Sequence, residues 1–138
     1  MDLDIPKCEL EAWLEELKPY QRNTILQLLA TSSPEEAAEK WISATGFSDI
    51  VPFAGTIDGK SFWEKFKVEF RKFVCDENEY VEEKKALKGQ RTRGALLSAA
   101  SAALGASLGY SATVLVPAIA LLLFTVGKIG IIAYCRDD

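Results

Sequence analysis

Residues 94–135, GALLSAASAALGASLGYSATVLVPAIALLLFTVGKIGIIAYC, carry a single formal charge, Lys128. A bilayer's hydrocarbon core takes about 20 apolar residues per helical crossing, so the stretch fits two crossings joined by a tight turn. Worked outward from there, the chain reads as all-α: a small cytosolic helical domain, residues 1–93, followed by a C-terminal transmembrane helical hairpin, residues 94–138, with a short cytosolic tail. The competing readings of the same stretch are a hairpin buried within a soluble oligomer and a plain membrane anchor.

The first helix of the pair is expected from Gly94 to about Thr113. At 100° per residue, Gly94, Ser98, Ser101, Gly105, Gly109 and Thr113 share one face, opposite Leu97, Leu104, Leu108 and Leu115. Small residues let helix backbones approach closely in lipid, so this face predicts self-packing or a pore lining, with Gly105-x-x-x-Gly109 its sharpest instance. The second helix is expected from Pro117, which suits a first helical turn, to about Tyr134, leaving Ser111–Val116 as the connection. Lys84, Lys85, Lys88, Arg91 and Arg93 precede the first crossing and Arg136 follows the second, so the positive-inside rule puts both termini in the cytosol. Lys128 lies close enough to that side to snorkel, or lines a watery path.

The rest of the composition narrows the chemistry. The 138 residues contain no histidine, which excludes Ser-His-Asp and Cys-His nucleophile chemistry and histidine-ligated metals. Cys8, Cys75 and Cys135 lie far apart, form no CxxC, and are odd in number, which argues against a disulfide framework. Cys135 is alternatively a palmitoylation candidate at the membrane edge. The start, Met1-Asp2-Leu3-Asp4, lacks the basic and apolar regions of a signal peptide, so residues 1–93 are expected in the cytosol. No enzyme activity, cofactor or metal is expected.

Helix signals dominate those residues. Leu10, Trp13, Leu14 and Leu17 recur at helical spacing over Glu9–Leu17. Pro19 opens a second helix carrying Ile25, Leu26, Leu28 and Leu29. Ser33-Pro34-Glu35-Glu36 is a capping box with proline at the first helical position, starting a helix through Trp41 that should stop at Gly46. Residues 47–60 read as a turn-rich loop. Ser61 to Glu64 is a second capping box, opening a helix to about Cys75, and Asp76 or Asn78 restarts one toward Gly89. Five helices are thus expected before the hairpin.

Charge is polarised along the chain: residues 1–59 carry a net of -7 and residues 60–93 a net of +3. On the helix from Ser61, Phe62, Phe66, Phe70 and Phe73 form an apolar stripe that belongs to the core. Beside it, Trp63, Lys67 and Arg71 recur every four residues, with Lys60 just before them. An aromatic plane next to cations suits a stacked base and its phosphates; a solvated basic face with Trp63 at the core margin fits the same spacing. Lys84, Lys85, Lys88, Arg91 and Arg93 suit anionic lipid headgroups. Gly59-Lys60-Ser61 is not a phosphate loop, since neither the preceding strand nor the upstream glycine is present.

The order of parts resembles the small membrane effectors of bacterial anti-phage operons, in which a helical sensor precedes two membrane helices. The resemblance runs through Trp41-Ile42-x-x-x-Gly46-Phe47, Phe62-Trp63, Phe73-Val74-Cys75-Asp76 and Tyr80, and points to the Hailong-type effectors. It implies a homo-oligomeric channel in the bacterial inner membrane, governed by a DNA oligomer or nucleotide made by a partner nucleotidyltransferase. It assigns no individual residue a role. The rival expectations are an accessory subunit that docks a partner enzyme at the membrane and an ungated holin-like pore.

Overall fold

The computed structural model describes residues 5–43, 59–87 and 92–136, with the backbone alone at 59–61. All regular structure among the described residues is helical: α1 Leu10–Leu14, α2 Pro19–Leu29, α3 Pro34–Trp41, α4 Gly59–Cys75, α5 Val81–Ala86, α6 Arg93–Leu108, α7 Ala112–Ile129 and α8 Ile131–Arg136. The all-α class and the five helices ahead of the apolar stretch agree with the sequence. Gly46, most of the 47–60 loop and Gly89 lie outside the described residues.

Local chemistry accounts for most boundaries. α1 stops short of Leu17 because Pro19 disfavours helical geometry at the residue before it. Its tail tightens instead, with Glu16 N–H donating to Trp13 O and Leu17 N–H to Leu14 O, both at 3.1 Å. The Ser33 box closes as expected: Glu36 N–H donates to Ser33 Oγ at 3.2 Å, and Ser33 N–H to Glu36 Oε1 at 2.9 Å. The Ser33 contacts hold the Glu36 carboxyl below its ordinary pKa. α4, by contrast, already begins at Gly59, so Ser61 lies within its first turn rather than capping it.

The two apolar helices differ from expectation at both inner ends. α6 stops at Leu108, because Gly109 turns left-handed (φ +72°). α7 starts at Ala112, so Pro117 sits inside it and not at its first turn. Proline has no N–H, and in a helix interior it removes the bond to the carbonyl four residues earlier. That carbonyl belongs to Thr113. Gln21 Nε2, from α2, donates to it at 3.0 Å. The neighbouring Val114 carbonyl accepts the Trp41 indole N–H, from α3, at 2.7 Å. Gln21 is buried, and its Oε1 also accepts Lys18 N–H at 3.1 Å at the start of its own helix.

These bonds seat α7 at the centre. Ala37 and Ala38 of α3 are fully buried and small, so α3 approaches α7 closely, and α6 and α1 pack against α7 as well. Every residue from Ala118 to Leu123 is at most 2% exposed. In α7 only Thr113, Lys128 and Ile129 are exposed. α4 lays its Phe stripe against α6 and its C-terminal end against α8. The helices expected as a cytosolic domain and those expected as a hairpin therefore share one hydrophobic core.

Gln21→Leu strands the Thr113 carbonyl and should cost about 1–3 kcal/mol of stability, the penalty for a part-buried unpaired acceptor. Pro117→Ala restores a backbone donor for that carbonyl, so the Gln21→Leu loss should be smaller in the Pro117→Ala background. A double-mutant cycle by urea denaturation reads the coupling; strict additivity would mean that Gln21 acts independently of the proline.

Candidate functional site

The α6–α7 turn is the tightest point of the apolar hairpin. Tyr110 N–H donates to Gly105 O at 2.9 Å, a bond from the second residue past a helix end back to its last turn, with left-handed Gly109 between them. Gly109 N–H donates to the same carbonyl, and a left-handed helix exit of this kind favours glycine. A Cβ on Gly105 would lie 2.7 Å from Tyr110 O and 3.3 Å from Ala112 N. The Gly105-x-x-x-Gly109 spacing thus makes the chain reversal between α6 and α7. Phe62 of α4 packs on Tyr110 with ring centroids 4.6 Å apart, holding the turn against the bundle.

The small-residue face does not act as a unit. Ser98, Gly109 and Thr113 are exposed, whereas Ser101 and Gly105 are buried. Ser101 Oγ is buried and has no hydrogen-bond partner among the described residues. Lys128 is exposed near the end of α7.

On α4 the aromatic-cation row is taken up by internal contacts. Trp63 is 2% exposed and stacks on Phe66 at 5.6 Å, while Lys67 Nζ lies 5.6 Å from the Trp63 ring centroid. In this conformation Trp63 is a core residue, with no open indole face for a base. Arg71 donates to Tyr134 O at 3.3 Å and Cys135 O at 3.2 Å, its guanidinium 5.2 Å from the Tyr134 ring centroid. It closes the C-terminal end of α8. Only the backbone of Lys60 is described.

The basic cluster ahead of α6 is equally divided. Lys84 is 5% exposed, donates to Asp76 O at 2.6 Å and lies over the Phe73 ring; burial pushes its pKa down. It therefore does not present charge to a bilayer. Arg93 pairs with Glu16 at 3.6 Å and lies 3.5 Å from Cys8 Sγ. Lys85 is exposed, and Lys88 and Arg91 lie outside the described residues.

Two features were not expected. Cys75 and Cys135 form a disulfide between α4 and α8 across 60 residues of sequence, although the cysteine count and spacing argued against a disulfide framework; Cys8 is free. Tyr80 hydroxyl contacts both Glu69 Oε1 of α4 at 2.5 Å and Ser107 Oγ of α6 at 2.7 Å. Burial and the Glu69 carboxylate push the Tyr80 pKa up to about 12. Among the described residues no cluster of side chains has the composition to hold a metal ion. α7 alone of the described helices is long and apolar enough to cross a membrane, and half of it is buried against the rest of the protein.

Compared with family models, curated proteins and solved structures, the chain matches none.

Gly105→Ala should destabilise the monomer by about 1–3 kcal/mol through overpacking of the turn, although the same change in an open helix gains up to about 1 kcal/mol. Thermal unfolding reads the sign; an unchanged or raised Tm would return Gly105 to a role in helix–helix association. A second expectation concerns pH. The Tyr80 phenol ionises near 10 when unfolded and about 12 when folded, so its contribution is complete below pH 10 and lost as pH rises toward 12. In Tyr80→Phe, stability measured by urea denaturation should fall less over that window than in the parent.

Proposed function

We propose that this protein is a non-enzymatic membrane-permeabilising effector held in a sheathed state. Helices α1–α5 cover the α6–α7 hairpin; a signal received by the sheath releases the hairpin into the bacterial inner membrane, where copies assemble into a pore. One observation carries the reading: a helical hairpin bearing a single charge between Gly94 and Cys135, whose second helix is apolar on every side, lies within a coat of amphipathic helices. A helix hydrophobic all round belongs either to a protein core or to a bilayer, and α7 has the length for both.

The sheath bears on the rivals. An ungated holin-like pore gains nothing from burying its spanning helix, so a gated mechanism fits better. Insertion would also have to remodel the turn: α6 has 16 residues, about 24 Å at 1.5 Å per residue, short of a roughly 30 Å hydrocarbon core. A DNA oligomer or nucleotide is the trigger that the resemblance implies. To engage Trp63 or Arg71 it would have to draw α4 away from its partners, so binding would compete with closure, as linkage requires of a ligand preferring the open state.

A second reading is favoured by the Gln21 and Trp41 bonds to the Thr113 and Val114 carbonyls. These are specific to the sheathed form and suit a permanently folded helical domain that docks a partner, with α7 simply its core.

Ion flux from vesicles mixed with the purified full chain, with and without oligonucleotides or small nucleotides, separates the two. The closed protein should give no flux; a ligand, or the sheath-loosening Gln21→Leu change, should produce it. If neither does, and vesicle flotation leaves the protein in solution while it remains helical by circular dichroism, the effector reading is overturned and the docking domain takes its place.

A further inference from the structure

We infer that the Cys75–Cys135 disulfide is a redox-controlled clasp that fixes the length of the apolar helix α7, an inference that rests on the membrane-permeabilising reading. α7 ends at Ile129 because Gly130 stands at φ +94°, a conformation that side-chain-bearing residues rarely adopt. The sequence beyond it stays apolar: Ile131, Ile132, Ala133 and Tyr134 precede Cys135. Gly130 thus divides one apolar run into two helices. At 18 residues, α7 measures about 27 Å, whereas continuation through Tyr134 would give about 34 Å and exceed a hydrocarbon core of about 30 Å.

α8 packs against both α4 and the end of α7. α8 has no buried residue, and Ile132 is 74% exposed. It is held by the disulfide, by the two Arg71 bonds to its last carbonyls, and by the edge contact of Tyr134 with Phe70 at 6.1 Å. Ile131, Tyr134 and Cys135 are only partly buried against the core, so the covalent bond to α4 is the restraint that reduction removes. It is also reachable: Cys75 and Cys135 are both half-buried, and an open notch of about 460 Å³ lies against Cys75, Asp76, Glu77 and Asn78. Disulfides in reducing compartments are mostly transient or redox-sensing, so the cytosolic location expected from the sequence agrees with a bond meant to be broken.

The chemistry is thiol–disulfide exchange with a dithiol reductant. One reductant thiolate attacks a sulfur of the pair and forms a mixed disulfide, expelling the other cysteine as a thiolate. The second reductant thiolate then releases the first cysteine. The protein gains two electrons and two protons as two thiols, and the reductant leaves as its own disulfide. Gly130 is then free to return to helical geometry and α7 to extend into α8.

The test uses the full chain, oxidised and after dithiothreitol, followed by hydrogen–deuterium exchange and by dye release from vesicles of phosphatidylcholine with a minor share of anionic phosphatidylglycerol. Maleimide labelling should rise from Cys8 alone to all three cysteines. Amide exchange at residues 131–136 should quicken at least tenfold, with α2 and α3 unchanged, and dye release should rise at least tenfold. Cys75→Ser should reproduce both effects without reductant. Unchanged exchange at 131–136 after complete reduction overturns the clasp. Faster exchange with no dye release supports the clasp and counts instead against the membrane reading on which it rests.

Discussion

The bundle depends on two carbonyls near Pro117 that are satisfied from outside α7. A proline inside a helix costs about 3 kcal/mol or more relative to alanine, and in a buried helix the freed acceptor adds its own desolvation penalty. Gln21 answers it from 92 residues away in sequence, and Trp41, on another helix and 73 residues from its acceptor, bonds the neighbouring Val114 carbonyl. Apolar packing alone does not fix how a greasy cylinder is rotated within a bundle. Two directed hydrogen bonds near one end do, and they set which faces of α7 meet α2 and α3.

This explains both what could be read from the sequence and what could not. The Ser33 box, the Pro19 start and the Phe62–Phe73 stripe are local statements, and each appears in the structure at its expected place. Leu26, grouped with the apolar residues of α2, is 49% exposed. Hydropathy reports how a side chain regards water, not which apolar medium replaces it, so Ala118–Leu123 carry the same signal in a core and in lipid. Pro117 held the missing information. Read as an interior proline, it demands a polar partner for Thr113, and a buried glutamine or indole N–H is the kind of group to look for.

The site residues divide on the same principle. Spacing placed Trp63, Lys67 and Arg71 on one side of α4, but periodicity cannot say what lies opposite that side. The C-terminal end of α8 lies opposite Arg71, and Trp63 turns inward beside Phe66 of its own helix, which turns a surface row into internal contacts. Gly105 and Gly109 have the spacing of a lipid-facing packing motif, yet a glycine four residues after another also suits a helix end and its left-handed exit. The cysteine pair was illegible because 60 residues separate its members, and only the path of α8 back to α4 brings them together.

The restraints on α7 are unequal along its length, and that inequality gives the molecule a direction. Its N-terminal end is held by Gln21 and Trp41, and the turn before it by Phe62 against Tyr110. Near its C-terminal end the chain entering α1 comes close, since a Cβ on Gly127 would lie 3.0 Å from Pro6 O. Beyond Gly127, Lys128 and Ile129 are exposed, and no residue of α8 is fully buried. Local opening begins where buried contacts are fewest, so α7 should loosen from Gly130 backward, with the α2 and α3 contacts the last to part. A hairpin released in that order would offer its bulky C-terminal isoleucines to a surface while its turn was still covered, and the covering helices would then separate only against the Gln21 and Trp41 bonds.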